Sequence, residues 1–204
     1  MKSPLLDKLI SISPVRTFSK HALLIQEGDT TDNLFILLKG KVRAFSIGGD
    51  GKEITFSEYF PVELFGEMAL DGQPRSASVQ ATETCQCAIV TKAELQVFLF
   101  NEPQFAFEII CKVIARARQA TDSARNLALL DVYGRLKVFL DTEAAIESDG
   151  KRSLISRFTH QEIATRIGAS REMVSKLLKD LENGGYINFP AQSRIVVGRI
   201  PERW

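Results

Sequence analysis

The chain is poor in the residues that build covalent or metal-held sites. Its 204 residues include two histidines, three cysteines and one tryptophan, set against 26 Lys/Arg and 25 Asp/Glu. Cys85, Cys87 and Cys111 are odd in number and lack metal-ligand spacing, and only His21 and His160 could join them. Neither a metal centre nor a structural disulfide is expected. Cys85 and Cys87, two apart on an expected strand, share one face as small buried residues. No nucleophile has a base partner and no acid–base dyad is apparent, so catalysis is not expected either. No apolar run approaches the roughly 18 residues needed to cross a bilayer, and the opening MKSPLLDKLI lacks a signal-peptide core. A cytoplasmic protein without membrane contact is the expectation. Net charge is only +1, but residues 1–131 carry 14 basic against 16 acidic side chains and residues 132–204 carry 12 against 9. A modestly basic C-terminal part is compatible with nucleic acid and does not establish it.

What the chain does have is one long uninterrupted helical stretch. Residues 105–129 contain neither proline nor glycine, and Pro103 stands at the entrance, where proline is tolerated. Ile110, Val113, Ala117, Ala120, Ala124 and Leu127 follow one another at 3, 4, 3, 4, 3, an a/d seam whose alanines let two backbones approach closely. Such a helix reaches about 37 Å at about 1.5 Å per residue, longer than a compact small domain needs. We read it as a dimer helix, residues 105–130, joining two domains; the alternative is a stripe packed on its own domain.

Before it, residues 15–91 show brief apolar runs separated by turn residues: HALLIQ then EGD, LFILLKGKVRAF then SIGGDGKE, EITFSEYF, and SASVQATETCQCAIV. Gly48, Gly49, Asp50 and Gly51 predict a hairpin tip. Short strands at this spacing indicate an antiparallel β-roll, with helical segments at 4–14 and 92–104. After it, LLDVYGRLKVFLDTEAA predicts a helix with Asp131 as N-cap, and ESDGKRSLI a turn and short strand. Thr159 and Glu162 form a capping box, Gly168 stops that helix, and Ser170 caps a second reaching Leu181. Ile163, Ile167, Val174, Leu177 and Leu178 pack the two into a helix-turn-helix, and INFPAQSRIVV predicts a wing. The fold class is α+β: a sensor roll at 1–104, the helix, and a winged helix-turn-helix at 131–204.

Two stretches carry chemistry. FGEMALDGQPRSA, residues 65–77, places a carboxylate after a glycine and an arginine beside a serine eight residues on. Gly66 permits close backbone approach, and N–H groups opening a short helix at 67–70 can face an anion. Arg75 can neutralise a phosphate, Ser76 adds a donor, and Glu67 suits a ribose 2′-hydroxyl. An isolated arginine at such a turn is ordinarily a solvated charge; only the combination points to a cyclic phosphodiester on a ribose. In ASREMVSKLLKDLE, the first residues of the second helix would meet base edges. Arg171 can pair bidentately with guanine, Glu172 can accept from cytosine N4, and Ser175 and Lys176 lie one turn on, while Ser170, Thr159 and Gln161 are placed for phosphates.

The cassette, EGD, LLKGKV, the long helix and SRExVxxxL together resemble the CRP/FNR family of bacterial transcription regulators, over nearly the whole chain. The resemblance implies a cyclic nucleotide-binding domain in which Gly66, Glu67, Arg75 and Ser76 hold ribose and cyclic phosphate, with Met68 and Ala77 inside the same cassette. It implies a pocket serine at Ser57, an arginine near the phosphate at Arg116, and a base-sensing pair at Ala120 and Thr121. In catabolite-activator relatives that pair is Thr-Ser, so one hydroxyl is missing here, and the loop from Glu67 to Arg75 is shorter. Cyclic AMP is the favoured effector, with cyclic GMP and cyclic di-GMP open. The cysteine cluster of iron–sulfur members is missing, and His21 does not match the pocket histidine of the haem-based sensor. The resemblance further implies a homodimer on palindromic double-stranded DNA with TGTGA-like half-sites, relaxed where Lys176 replaces an arginine, and RNA polymerase contact near residues 147–152. An effector-independent regulator with a vestigial pocket is the alternative.

Overall fold

A computed structural model describes residues 3–147, 150–189 and 194–202. The chain forms two compact units, residues 1–118 and 119–204. The first opens with α1 (Pro4–Ile12), whose start is held by the Ser3 hydroxyl accepting from the backbone of Leu6. Eight strands follow: β1 (Val15–Phe18), β2 (Leu23–Ile25), β3 (Leu34–Lys39), β4 (Val42–Ile47), β5 (Glu53–Tyr59), β6 (Leu64–Phe65), β7 (Ser78–Ala81) and β8 (Cys85–Val90). They make two antiparallel sheets in the orders β1-β8-β3-β6 and β2-β7-β4-β5, the expected roll. The hairpin of β4 and β5 turns at the glycine-rich tip, where Gly48 donates to the carbonyl of Lys52 and Gly51 to that of Gly48. Phe35, Leu37, Val42, Phe65, Val79, Ala81, Cys85 and Cys87 fill the space inside the roll. Burial pushes both cysteine thiols up from their ordinary values.

A second core lies where α1, α2 (Lys92–Asn101) and the start of α3 (Pro103–Leu129) cover the roll through Leu6, Leu9, Leu95, Phe98 and Phe105. Beyond Phe105 no residue of α3 is buried. Ile110 is 52% exposed and Leu127 44%, and Val113, Ala117, Ala120 and Ala124 are exposed too. The stripe is therefore not packed on its own domain.

The second unit contains α4 (Val132–Glu143), β9 (Ala144–Ile146), β10 (Arg152–Leu154), α5 (His160–Ile167), α6 (Arg171–Asn183), β11 (Ile187–Asn188) and β12 (Val196–Val197). Asp131 caps α4 by accepting from Gly134, and Thr159 and Glu162 make the expected reciprocal box. Gly168 ends α5 at φ 63°, a left-handed conformation that favours glycine, and Ser170 caps α6. Ala144 and Ala145 are a correction. The helical reading ran through the alanines, but the chain turns extended at Ala144 and pairs with β10, Ile146 opposite Arg152. Strand pairing there outweighs alanine's helix propensity. β11 and β12 pair as the expected wing; residues 190–193 of the wing and 148–149 of the 147–152 loop lie outside the described residues.

Candidate functional site

The pocket candidates of the roll are built around Gly66. It follows β6 at φ 83° and caps a 3-10 turn, Glu67–Asp71. A Cβ at this position would lie 3.1 Å from Nη1 of Arg75 and 3.2 Å from both the Asn33 carbonyl oxygen and Cδ1 of Ile25. Backbone angle and close approach both demand glycine.

Arg75 is not the solvated charge its sequence context suggests, since only 4% of it is exposed. Its Nε donates to Oγ1 of Thr31 at 3.1 Å, Nη1 to the Gly66 carbonyl at 2.8 Å and Nη2 to the Asn33 carbonyl at 2.7 Å. Its backbone donates to Asp29 and accepts from Gly28, tying the EGD turn to the cassette. Burial pulls its pKa down, opposed by the carboxylates of Asp32, Asp29 and Glu67. Arginine keeps its charge regardless. The residue is thus a brace for three chain segments as well as a cation aimed at the cassette.

Glu67 meets Arg116 of α3 at 2.5 Å, the two side chains being 10% and 23% exposed. Arg116 also donates to the Leu64 carbonyl, and its guanidinium lies 4.8 Å from the ring centre of Tyr59. Burial alone would lower the Arg116 pKa, but the bond and charge of Glu67 outweigh it and raise it. Tyr59 stacks on Phe65 at 5.2 Å. Its hydroxyl is pushed up by burial, and its side chain bonds to that of Ser57, which shares its face two residues back on β5. Ser57, Glu67 and Arg116, expected on separate grounds, are therefore brought together through Tyr59. Ser76 is exposed beside Arg75 and donates to Sδ of Met68 at 3.1 Å; Met68 is exposed and Ala77 half-buried. Ala120 and Thr121 are exposed on α3 in the second unit.

In the helix-turn-helix, Arg171, Glu172 and Lys176 are exposed along α6. Gln161 is exposed, whereas the hydroxyls of Ser170 and Thr159 serve as caps, accepting from Met173 and Glu162. Ser175 is half-buried, with its Oγ 2.7 Å from Nδ1 of His160. Sequence reasoning missed five participants: Tyr59, the Thr31 and Asn33 acceptors, His160, and Arg135. Arg135 donates to the carbonyls of Leu130 and Ile167, joining the end of α3 to the end of α5. Strand alternation from Ser57 could have found Tyr59; the rest depend on segments distant in the chain. Among the described residues no cluster of His, Cys, Asp and Glu could hold a metal ion, and no helix is long and apolar enough to cross a membrane.

An antiparallel roll with an acid–arginine cassette, ahead of a winged helix-turn-helix, defines a two-domain transcription regulator. Residues 15–102 match the cyclic nucleotide-binding domain and residues 134–201 the Crp-like helix-turn-helix domain. The chain is 30% identical over 203 residues to the cAMP-activated global transcriptional regulator Vfr of Pseudomonas aeruginosa, covering 95% of this chain and 94% of Vfr. It is 28% identical over 202 residues to the cAMP-activated global transcriptional regulator CRP of Escherichia coli O157:H7, covering 96% and 95%. In fold it is similar to the c-di-GMP responsive global regulator CLP of Xanthomonas campestris, with a TM-score of 0.84 at 22% identity over 98% of this chain and all of CLP. A CooA mutant from Carboxydothermus hydrogenoformans matches with a TM-score of 0.83 at 19% identity, over 98% and 93%. The chain belongs to the CRP/FNR family of DNA-binding transcription regulators. Its relatives are regulators, not enzymes.

Proposed function

We infer that the chain is a homodimeric regulator that binds a cyclic nucleotide in its roll and, in response, reads palindromic DNA with TGTGA-like half-sites. The observation that carries this is that Arg116 pairs with Glu67 while the buried Arg75 bonds to Gly66, so both guanidinium groups meet at adjacent residues of the cassette. Arg75 and Arg116 supply cations for a cyclic phosphate, Ser76 a donor at the rim, and Glu67 an acceptor for the ribose 2′-hydroxyl. Cyclic AMP is favoured because Vfr and CRP are cAMP-activated. Cyclic GMP shares the ribose and cyclic phosphate and differs at the base, which Ala120 and Thr121 sense; cyclic di-GMP instead joins two guanosines through two phosphodiesters in a larger ring.

The uncovered seam of α3 makes the protein a dimer, and the dimer places two copies of α6 about one DNA turn apart. Arg171 and Glu172 read a G·C-containing core and Lys176 adds a more permissive contact, while Thr159, Gln161 and Ser170 fix register on phosphates through backbone and side chain. Ligand at Arg116 and Thr121 changes the seam and the hinge at residues 127–131, and Arg135 passes that change to α5. This is allostery only if ligand affinity differs between the two arrangements. The protein acts in the cytoplasm, with RNA polymerase contact around residues 147–152.

A second reading, effector-independent DNA binding with a vestigial pocket, draws on one observation. Glu67 and Arg116 already satisfy each other, and Arg75 already bonds its own chain. Calorimetric titration with cyclic AMP, cyclic GMP and cyclic di-GMP separates the two. The first reading expects micromolar binding of one nucleotide, lost in Arg116→Ala; binding of none of the three supports the second. Arg75→Ala is the poorer probe, because it leaves the Gly66 and Asn33 carbonyls without their donor, at about 1–3 kcal/mol each in buried surroundings.

A further inference from the structure

His160 is one of two histidines in the chain. It is the first residue of α5, directly after the Thr159 cap, and its ring tilts against Phe189 with centres 6.5 Å apart. Its Nδ1 lies 2.7 Å from Oγ of Ser175. Ser175 stands four residues after Arg171, on the same side of α6. Arg171, Glu172 and Lys176 are exposed, whereas Ser175 is half-buried and held by the imidazole.

One proton decides what this pair shows to its surroundings. A hydroxyl has one donor and two lone pairs; a neutral imidazole has one N–H and one lone pair. If Nδ1 accepts from Ser175, then Nε2 carries the ring proton and can donate elsewhere, and Ser175 retains only lone pairs. If Nδ1 donates, Ser175 keeps a free proton and Nε2 becomes an acceptor. A DNA phosphate has acceptor oxygens only, so of the two neutral tautomers it selects the first at a ring placed beside the phosphate-contacting start of α5.

We propose that His160 is a specificity-determining residue of the DNA reader and acts through Ser175. A backbone phosphate accepts from Nε2–H, Nδ1 accepts from the Ser175 hydroxyl, and Ser175 offers the major groove an acceptor alone. It therefore takes a hydrogen bond from cytosine N4 or adenine N6, and disfavours thymine O4 or guanine O6 at the same place. Phosphate contact and base preference become one coupled unit. The inference rests on the reading of α6 as the groove helix.

The test is half-site selection followed by competition binding at fixed salt, using the wild-type protein, Arg171→Ala, Ser175→Ala, His160→Phe and His160→Asn. The wild type should prefer an amino-bearing base at one position by about fivefold, the size of one neutral hydrogen bond. Ser175→Ala should bring that position to parity. His160→Phe keeps a ring against Phe189 but cannot accept, so the hydroxyl rotates freely and the same position should relax while the Arg171 preference stands. His160→Asn, whose Oδ1 can stand in for the Nδ1 acceptor, should restore it. His160→Phe weakening all half-sites by one common factor would overturn the proposal, as would a Ser175→Ala protein with every preference intact. Thermal melts accompany each variant, and if His160→Phe does not fold, His160→Gln takes its place, its longer side chain misplacing the acceptor and relaxing the same position. If Arg171→Ala changes no base preference, the groove reading of α6 fails and the inference falls with it, an outcome distinct from failure confined to the His160 variants.

Discussion

Replacing Glu67 by glutamine removes one charge and leaves an amide oxygen in nearly the same place. The carboxylate lies 2.5 Å from Arg116, with side chains 10% and 23% exposed, between a buried and a surface pair. Removing one partner of a fully buried pair costs about 3–5 kcal/mol, and an exposed pair is worth at most about 1. Arg116 keeps its bond to Leu64 and its place over Tyr59, so a loss of about 1–2 kcal/mol is expected, several degrees in melting temperature. The ligand experiment is sharper. On the proposed assignment, the Glu67 carboxylate and an incoming phosphate compete for Arg116, while in the complex the carboxylate is wanted at the ribose. Glutamine therefore relieves the competition and weakens the ribose contact. A charge-assisted bond exceeds a neutral one by about 1–1.5 kcal/mol, so the advantage of cyclic AMP over its 2′-deoxy analogue should shrink about tenfold. Calorimetry of both nucleotides against both proteins closes the cycle. The deoxy analogue should bind Glu67→Gln at least as well as it binds the wild type. Loss of affinity by the same factor for both nucleotides refutes the assignment of Glu67 to the ribose hydroxyl.

Three further outcomes follow from the same structure. Arg171→Ala should weaken operator binding by about 1–3 kcal/mol while leaving non-specific DNA binding nearly unchanged, as read by anisotropy with matched and scrambled duplexes. Burial raises the thiols of Cys85 and Cys87, whereas Cys111 is exposed, so a thiol reagent at neutral pH should modify one cysteine quickly and all three only after unfolding. Three fast thiols would mean that the roll opens readily. The backbone N–H and hydroxyl of Thr91 hold the Glu94 carboxyl below its ordinary value at the start of α2. A lowered folded-state pKa contributes stability above the unfolded value and loses it as pH falls through the folded one. The stability gap between wild type and Glu94→Gln, from thermal melts, should therefore be full near neutral pH and close under acid; a gap independent of pH would remove the cap from the account.

The parts legible in the sequence are those governed by local chemistry. The box of Thr159 with Glu162, the stop at Gly168 and the caps at Asp131 and Ser170 each depend on residues three or four apart, and each forms. The roll was legible from turn spacing, and α3 from its lack of helix breakers after Pro103. What sequence spacing could not convey is convergence. Arg75 reads as a loop cation, yet Thr31, Asn33 and Gly66 arrive from other segments to bury it. Glu67 and Arg116 are 49 residues apart and are joined only because α3 returns over β6. His160 and Ser175 are brought together by the helix-turn-helix crossing itself. The miss at β9 has the same origin, since two alanines favour helix until a partner strand is present.

The claim at the centre is that a nucleotide held at Glu67, Arg75 and Arg116 governs DNA reading by α6. The direct measurement is operator affinity at fixed salt, alone and with saturating cyclic AMP, cyclic GMP or cyclic di-GMP. One nucleotide should tighten binding by about 5- to 150-fold, the usual span of allosteric coupling. It should have little effect on Arg116→Ala. Equal operator affinity in all four conditions would contradict the claim and leave a DNA-binding protein whose pocket does not signal.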